Sequence, residues 1–152
     1  MADEASAAID AYLAVCPAAL LAPDALPARL DTAGLRRDIS VPVGSMTTTG
    51  YVSADGSVTV SVTTLKFSDA IRRSCVVGVL VPLTFAALTE LRARLEADPV
   101  VGPLEGRILP MPGGIVTAYL KRPGLDPLVG VTLTATASVA SLVMDSWTPV
   151  QP

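Results

Sequence analysis

The feature that most constrains this chain is a period of two. Val58, Val60 and Val62 alternate with Ser57, Thr59, Ser61 and Thr63. Successive residues of a strand point to opposite faces, so the pattern predicts a strand with one apolar and one small polar face. Just upstream, Asp55-Gly56 follows Tyr51-Val52-Ser53. Asp-Gly suits the type I′ turn of a two-residue hairpin, which needs positive φ at both central positions. That hairpin sets Tyr51 opposite Val60 and Ser53 opposite Val58. After Thr64 the apolar parity flips to Leu65 and Phe67, and a bulge near Thr63-Thr64 would absorb the flip.

Further strands are read from similar runs. Ile39, Val41 and Val43 alternate with Ser40 and Pro42, and the proline marks an edge strand or a strand start. Ser74–Val81 is β-branched without alternation, as in a central strand buried on both faces, and Pro82 closes it. Gly106–Leu109 and Ile115–Lys121 read as strands joined by the turn Pro110-Met111-Pro112-Gly113-Gly114. Pro123-Gly124 and Asp126-Pro127 mark a loop. Residues 129–143 alternate again and read as one long strand, roughly 50 Å if extended, bent near Ser138–Ser141. Residues 144–152, including Trp147-Thr148-Pro149, read as an irregular tail.

Two segments follow the helical period instead. Ile9, Tyr12, Leu13 and Cys16 share one face of a helix over residues 3–16, with Asp3 and Glu4 in its first turn and Pro17 as its stop. In 84–97, Thr84 is a candidate N-cap and Phe85, Leu88, Leu91 and Leu95 form the apolar stripe, edged by Arg92. Glu90 and Arg94 are spaced as an i,i+4 pair, and Asp98-Pro99 ends the helix. Between the first helix and the first strand, Pro17, Pro23 and Pro27 punctuate an ordered connector over residues 17–38, with a helical turn after Asp24. No internal repeat is visible. We therefore expect one α+β domain over 1–152. It has a mostly antiparallel twisted sheet of about five to seven strands, an N-terminal helix (1–16), and helix 84–97 packed on one face.

Composition narrows the function. Apolar types make up 51% of the 152 residues and charged types 16%, against about 25% charged in a typical domain. That excludes intrinsic disorder. A net charge of −3 argues against an electrostatic nucleic-acid binder, and the basic pairs Arg36-Arg37, Arg72-Arg73, Arg92/Arg94 and Lys121-Arg122 are scattered without interleaved aromatics. The absence of histidine removes the commonest general base and metal ligand. Two cysteines without histidine cannot close a zinc site. Cys16 and Cys75 could form one bridge, but we expect two buried free thiols in a reducing compartment. Leu13-Ala14-Val15-Cys16 looks like a lipoprotein box, yet the preceding segment is acidic and lacks a basic n-region, so we expect no export signal. The apolar run Cys75–Leu88 falls short of the ~20 residues of a spanning helix. Asp3, Glu4, Asp24, Asp55, Glu90, Asp98 and Asp126 sit at helix starts, turns and exposed faces, so no acid–base pair stands out. Pro112-Gly113-Gly114 lacks the spacing of a phosphate loop. We expect no catalytic, cofactor or metal residues. Instead, the apolar excess points to surface buried against other subunits, although an alanine-rich, arginine-over-lysine composition from a GC-rich genome would read similarly.

The order strand Ser74–Val81, helix Thr84–Ala97, strands Gly106–Leu109, Ile115–Lys121 and Val129–Val143 resembles the second half of tail-terminator, or tail-completion, proteins of long-tailed bacteriophages. The stretch Leu91-Arg92-Ala93-Arg94-Leu95-Glu96-Ala97-Asp98-Pro99 is similar to their helix. Helix Ala5–Cys16 followed by strand Ile39–Val43 resembles their opening. The resemblance implies a non-catalytic virion subunit, made in the bacterial cytoplasm. It would form a homo-oligomeric ring, commonly sixfold, through strand edges and apolar surface, and would meet other tail and neck proteins. It implies no membrane, no sequence-specific nucleic acid and no cofactor. A small-molecule-binding module, with a pocket on the sheet under helix 84–97, is the alternative.

Overall fold

A computed structural model describes residues 2–124 and 127–150. Helices α1 (Ala2–Leu21) and α2 (Leu26–Ala33) precede strands β1 (Leu35–Val43), β2 (Met46–Ser53), β3 (Thr59–Lys66) and β4 (Ala70–Val79). Then follow α3 (Phe85–Ala97), β5 (Ile108–Met111), β6 (Ile115–Lys121), β7 (Leu128–Ala135) and β8 (Ala140–Pro149). The eight strands form one antiparallel sheet in the order β1-β2-β3-β4-β8-β7-β6-β5. The chain is α+β, with one strand more than the upper end of the sequence expectation. Its two halves share a plan, helical structure (α1 and α2, then α3) before a four-stranded meander, and their last strands, β4 and β8, pair from Ala70↔Pro149 to Val79↔Ala140.

The extra strand comes from residues 129–143, which are a hairpin and not one bent strand. Thr136 makes the turn: its Oγ1 accepts from the Val139 N–H at 3.2 Å and its own N–H donates to the Val139 carbonyl at 2.8 Å. A threonine closing a turn through its hydroxyl leaves no Gly or Pro to announce it. Of the supposed tail, residues 144–149 are the rest of β8, and residues 151–152 lie outside the described residues. Asp126 lies outside the described residues.

Pro17 does not end α1, which runs on to Leu21. A proline inside a helix leaves the carbonyl four residues earlier without its donor. Here that carbonyl is Leu13, and Arg29 Nη1 of α2 reaches it at 3.5 Å. The connector is thus mostly helical: α1, a 3₁₀ turn at Pro23–Ala25, and α2, which stops at Gly34 in the left-handed region (φ 69°) before β1 begins at Leu35. The β2–β3 hairpin has the expected register, Tyr51↔Val60. Its turn is not type I′, because only Gly56 has positive φ. The Asp55 carboxylate shapes it instead, accepting from Ser53 Oγ (2.8 Å), Ser57 N (3.0 Å) and Ser57 Oγ (2.7 Å). Pairing of β2 with β3 is unbroken through Thr63 and Thr64, so Leu65 lies on the opposite face from Val62 without a bulge. The irregularity is in β1, between Arg37 and Ile39.

All three helices lie on one face of the sheet, termed inner. Tyr12, Val15 and Cys16 of α1, Leu88, Leu91 and Leu95 of α3, and Val60, Cys75, Val77, Leu133, Leu142 and Met144 of the sheet are fully buried together. Glu4–Leu21 is long and apolar enough to cross a bilayer, but this side of it is core. Tyr12 Oη donates to the Val143 carbonyl at 3.0 Å; burial first, then the Asp145 charge, pushes its phenol well above the usual range. Thr84 caps α3 as expected, accepting from the Ala87 N–H at 3.0 Å. Phe85 faces solvent, outside the stripe, and Arg94 pairs with Asp10 of α1 (3.1 Å) instead of with Glu90.

The cysteines are not free thiols. Cys16 and Cys75 form a disulfide with Cα atoms 5.5 Å apart, tying α1 to β4. Docking the helix across the central strand brings together residues 59 apart in sequence, so no free thiol pair remains to point to a reducing compartment. Closing a loop of that length, 59 residues, is worth about 4 kcal/mol on chain-entropy grounds. We expect Cys16→Ala/Cys75→Ala to lower stability by up to that amount in urea titration. Alkylation in denaturant without reductant should label neither cysteine of the parent protein; labelling of both would refute the bridge. A second prediction concerns Ser146, which is buried with its Oγ unpartnered. An unmade hydrogen bond in a core costs about 1–3 kcal/mol, so Ser146→Ala should raise the urea midpoint, and a drop would show that the hydroxyl has a partner.

Candidate interaction surface

The strands alternate, so the face opposite the helices is built from the other half of their residues. The registers align them in rows. One row runs from Ile39 through Ser61, Val76 and Val143 to Tyr119. The next runs from Val41 through Thr63, Ser74 and Asp145 to Lys121, and a third from Val43 through Leu65, Arg72 and Trp147 to Leu128. No element of the described residues covers this outer face.

Most of the large apolar side chains exposed in the described residues stand here, Ile39, Val41, Val43, Met111, Tyr119 and Trp147 among them. The expectation that Ser74–Val81 is buried on both faces is therefore half met. β4 is central, and Cys75, Val77 and Val79 are buried. Val76 is 38% exposed and Leu80, just past the strand, 86%. The run has the composition of a doubly covered strand, but the described residues supply only one cover.

Charge is nearly absent from the middle of the face. Across β3, β4, β8 and β7 its outward residues include one cation, Arg72, and one anion, Asp145, 3.8 Å apart and both partly exposed. Beside them lies a shallow hollow of about 280 Å³ lined by Arg72, Tyr119, Leu128, Gly130, Asp145 and Trp147. Tyr119 lies over Gly130, where an added Cβ would come within 3.3 Å of its hydroxyl. Phe67 stacks on Trp147 with ring centroids 5.5 Å apart. Trp147 was missed by sequence reasoning because Ser146 interrupts the apolar alternation just before it.

The remaining candidates go elsewhere. Arg92 donates to the Gly106 and Leu104 carbonyls at 2.7 and 2.8 Å and to Glu96, fastening the segment before β5. Arg122 donates to the Val100 and Pro127 carbonyls. Arg36 pairs with Asp38 on the surface. These basic residues serve separate local contacts and make no stripe. Among the described residues no three His, Cys, Asp or Glu side chains cluster as a metal site. The space under α3 is filled by Leu88, Leu91 and Leu95 and not by a pocket; a groove of about 340 Å³ instead runs between α1 and α3, past Ile9, Leu83 and Ala87. Comparison with protein-family models, curated proteins and solved structures finds no match for this chain.

One ion pair is structural. Arg29 of α2 holds Asp98, the residue after α3, through two hydrogen bonds of 2.8 and 3.2 Å. Burial pushes the Asp98 carboxyl up, but the Arg29 hydrogen bonds, the Val100 N–H and the Arg29 charge together hold it below its ordinary 3.8. The Ser57 hydroxyl and N–H, with Ser53, bring Asp55 down to about 2. A carboxylate depressed on folding stabilises above its unfolded pKa, and that contribution is lost as pH falls through the folded value. The acid limb should therefore begin below about pH 4. Arg29→Met should cost about 1 kcal/mol at pH 6 and progressively less toward pH 2; a pH-independent penalty in thermal melts would mean Arg29 acts by packing alone.

Proposed function

We propose that this chain is a structural subunit that works by assembling with its own copies, of the tail-terminator kind found at the tail or neck of long-tailed bacteriophages, where it would close into a ring and meet other virion proteins. The observation that carries the reading is the uncovered outer face: a broad, weakly charged sheet surface with exposed Ile, Val, Met, Tyr and Trp. Large apolar surface of this kind marks an interaction site. The element order supports the finer reading, with an opening helix, strand β4 leading into the Ala/Leu/Arg-rich α3, and antiparallel strands after it. The Cys16–Cys75 bridge suits a particle that acts outside the cell, since virion surfaces are among the settings where disulfides persist.

The strand edges are poorly suited to carry the assembly. β1 contains Pro42 and an irregular register, and β5 is four residues long with Pro110 among them. Prolines and short strands blunt edges against pairing. The face is the better surface. Size-exclusion chromatography with light scattering should find multiples of the 15.6 kDa chain, and electron microscopy should find annular particles. A protein that stays monomeric throughout the micromolar range would overturn the reading.

A further inference from the structure

We infer that the outer face of the sheet docks on the same face of a second copy, sheet on sheet about a twofold axis. The inference rests on the reading of the chain as a self-assembling subunit and adds the geometry of one contact.

Three observations choose a second copy as the occupant. The first is area. Eight strands at ~4.8 Å spacing and about eight residues long give a face of roughly 900 Å², and a stable pair needs about 800 Å² per partner. The second is relief. The centre of the face is built from Ser61, Thr63, Ser74, Val76, Thr132 and Val143, small enough for two sheets to approach to the ~10 Å of face-to-face packing. The third is charge. The one cation and one anion of the central strands, Arg72 and Asp145, lie side by side. A twofold axis passing between them sets each Arg72 against the partner copy's carboxylate, so the face is its own electrostatic complement. An isologous contact of this kind is compatible with a ring, because a ring of pairs, or two rings stacked face to face, contains it.

The test uses the full chain and reads particle mass by light scattering. Val76→Lys puts a charge at the centre of the contact and should reduce the mass of the assembly at least twofold. Arg72→Glu and Asp145→Lys, each alone, juxtapose like charges across the axis and should do the same. Mixing those two variants should double the mass again, because each interface in the mixed pair then joins opposite charges, while the pair within each chain stays broken. The single tryptophan, Trp147, should shift its emission to the blue as the mass rises. Recovery on mixing also shows that both variants are folded. If all three variants assemble as the parent does, the face-to-face contact is wrong and the assembly reading stands. If the parent itself is monomeric, both fall.

Discussion

The structure depends on the inner faces of β4 and β8. These strands pair down the middle of the sheet, each the last strand of its half, and α1 lies across them. Three contacts of different kinds hold it there: the fully buried Tyr12 and Val15, the Tyr12 hydroxyl on the Val143 carbonyl, and the Cys16–Cys75 bridge. Antiparallel meanders put all their connections at the sheet ends, so only the segments before β1 and between β4 and β5 are free to fold back as layers. Both fold onto the same side. Among the described residues the helices cover one face of the eight strands and leave the other open.

That arithmetic of layers explains where the sequence was legible. The Tyr51↔Val60 register, the Thr84 cap, the central place of Ser74–Val81 and the stripe of Leu88, Leu91 and Leu95 all rest on local periodicity or local chemistry, and they appear as read. The failures needed tertiary information or a turn without its usual residues. Pro17 is tolerated inside a helix because Arg29, from another helix, approaches the carbonyl it orphans. Thr136 closes a hairpin that no glycine or proline announces. Cys16 meets Cys75 only because α1 docks across β4. The candidate surface was half legible: its apolar excess and its Ser/Thr alternation are in the sequence, but which residues share the face depends on a register and a layer count that periodicity alone does not fix.

The misreading of β4 carries the most information about function. A β-branched run without alternation has the composition of a strand buried on both faces. The fold buries Cys75, Val77 and Val79 and leaves Val76 and Leu80 in solvent. An isolated domain gains nothing from apolar residues there, whereas a second sheet laid on the face makes the same residues core. The charged side chains point the same way. Arg29, Arg92, Arg94 and Arg122 close contacts among the helices and the loops near them, so the sheet's outer side is left nearly neutral, and a nearly neutral face loses little hydration when it is covered.

Two routes of self-association are open to such a sheet, edge to edge and face to face, and they demand different sequences. Edge pairing wants long, regular border strands with every donor available. Here each border strand contains a proline, one border is only four residues long, and the other has a break in register beside Arg37. Face pairing wants regular registers in the centre, small side chains there and few charges. β3, β4, β8 and β7 pair without a shift, and their outward rows are mostly Ser, Thr, Val and Gly around a single Arg–Asp pair. The chain blunts the first route and leaves the second open, so on the proposed reading it is the middle of the sheet, and not its rim, that would receive a second copy.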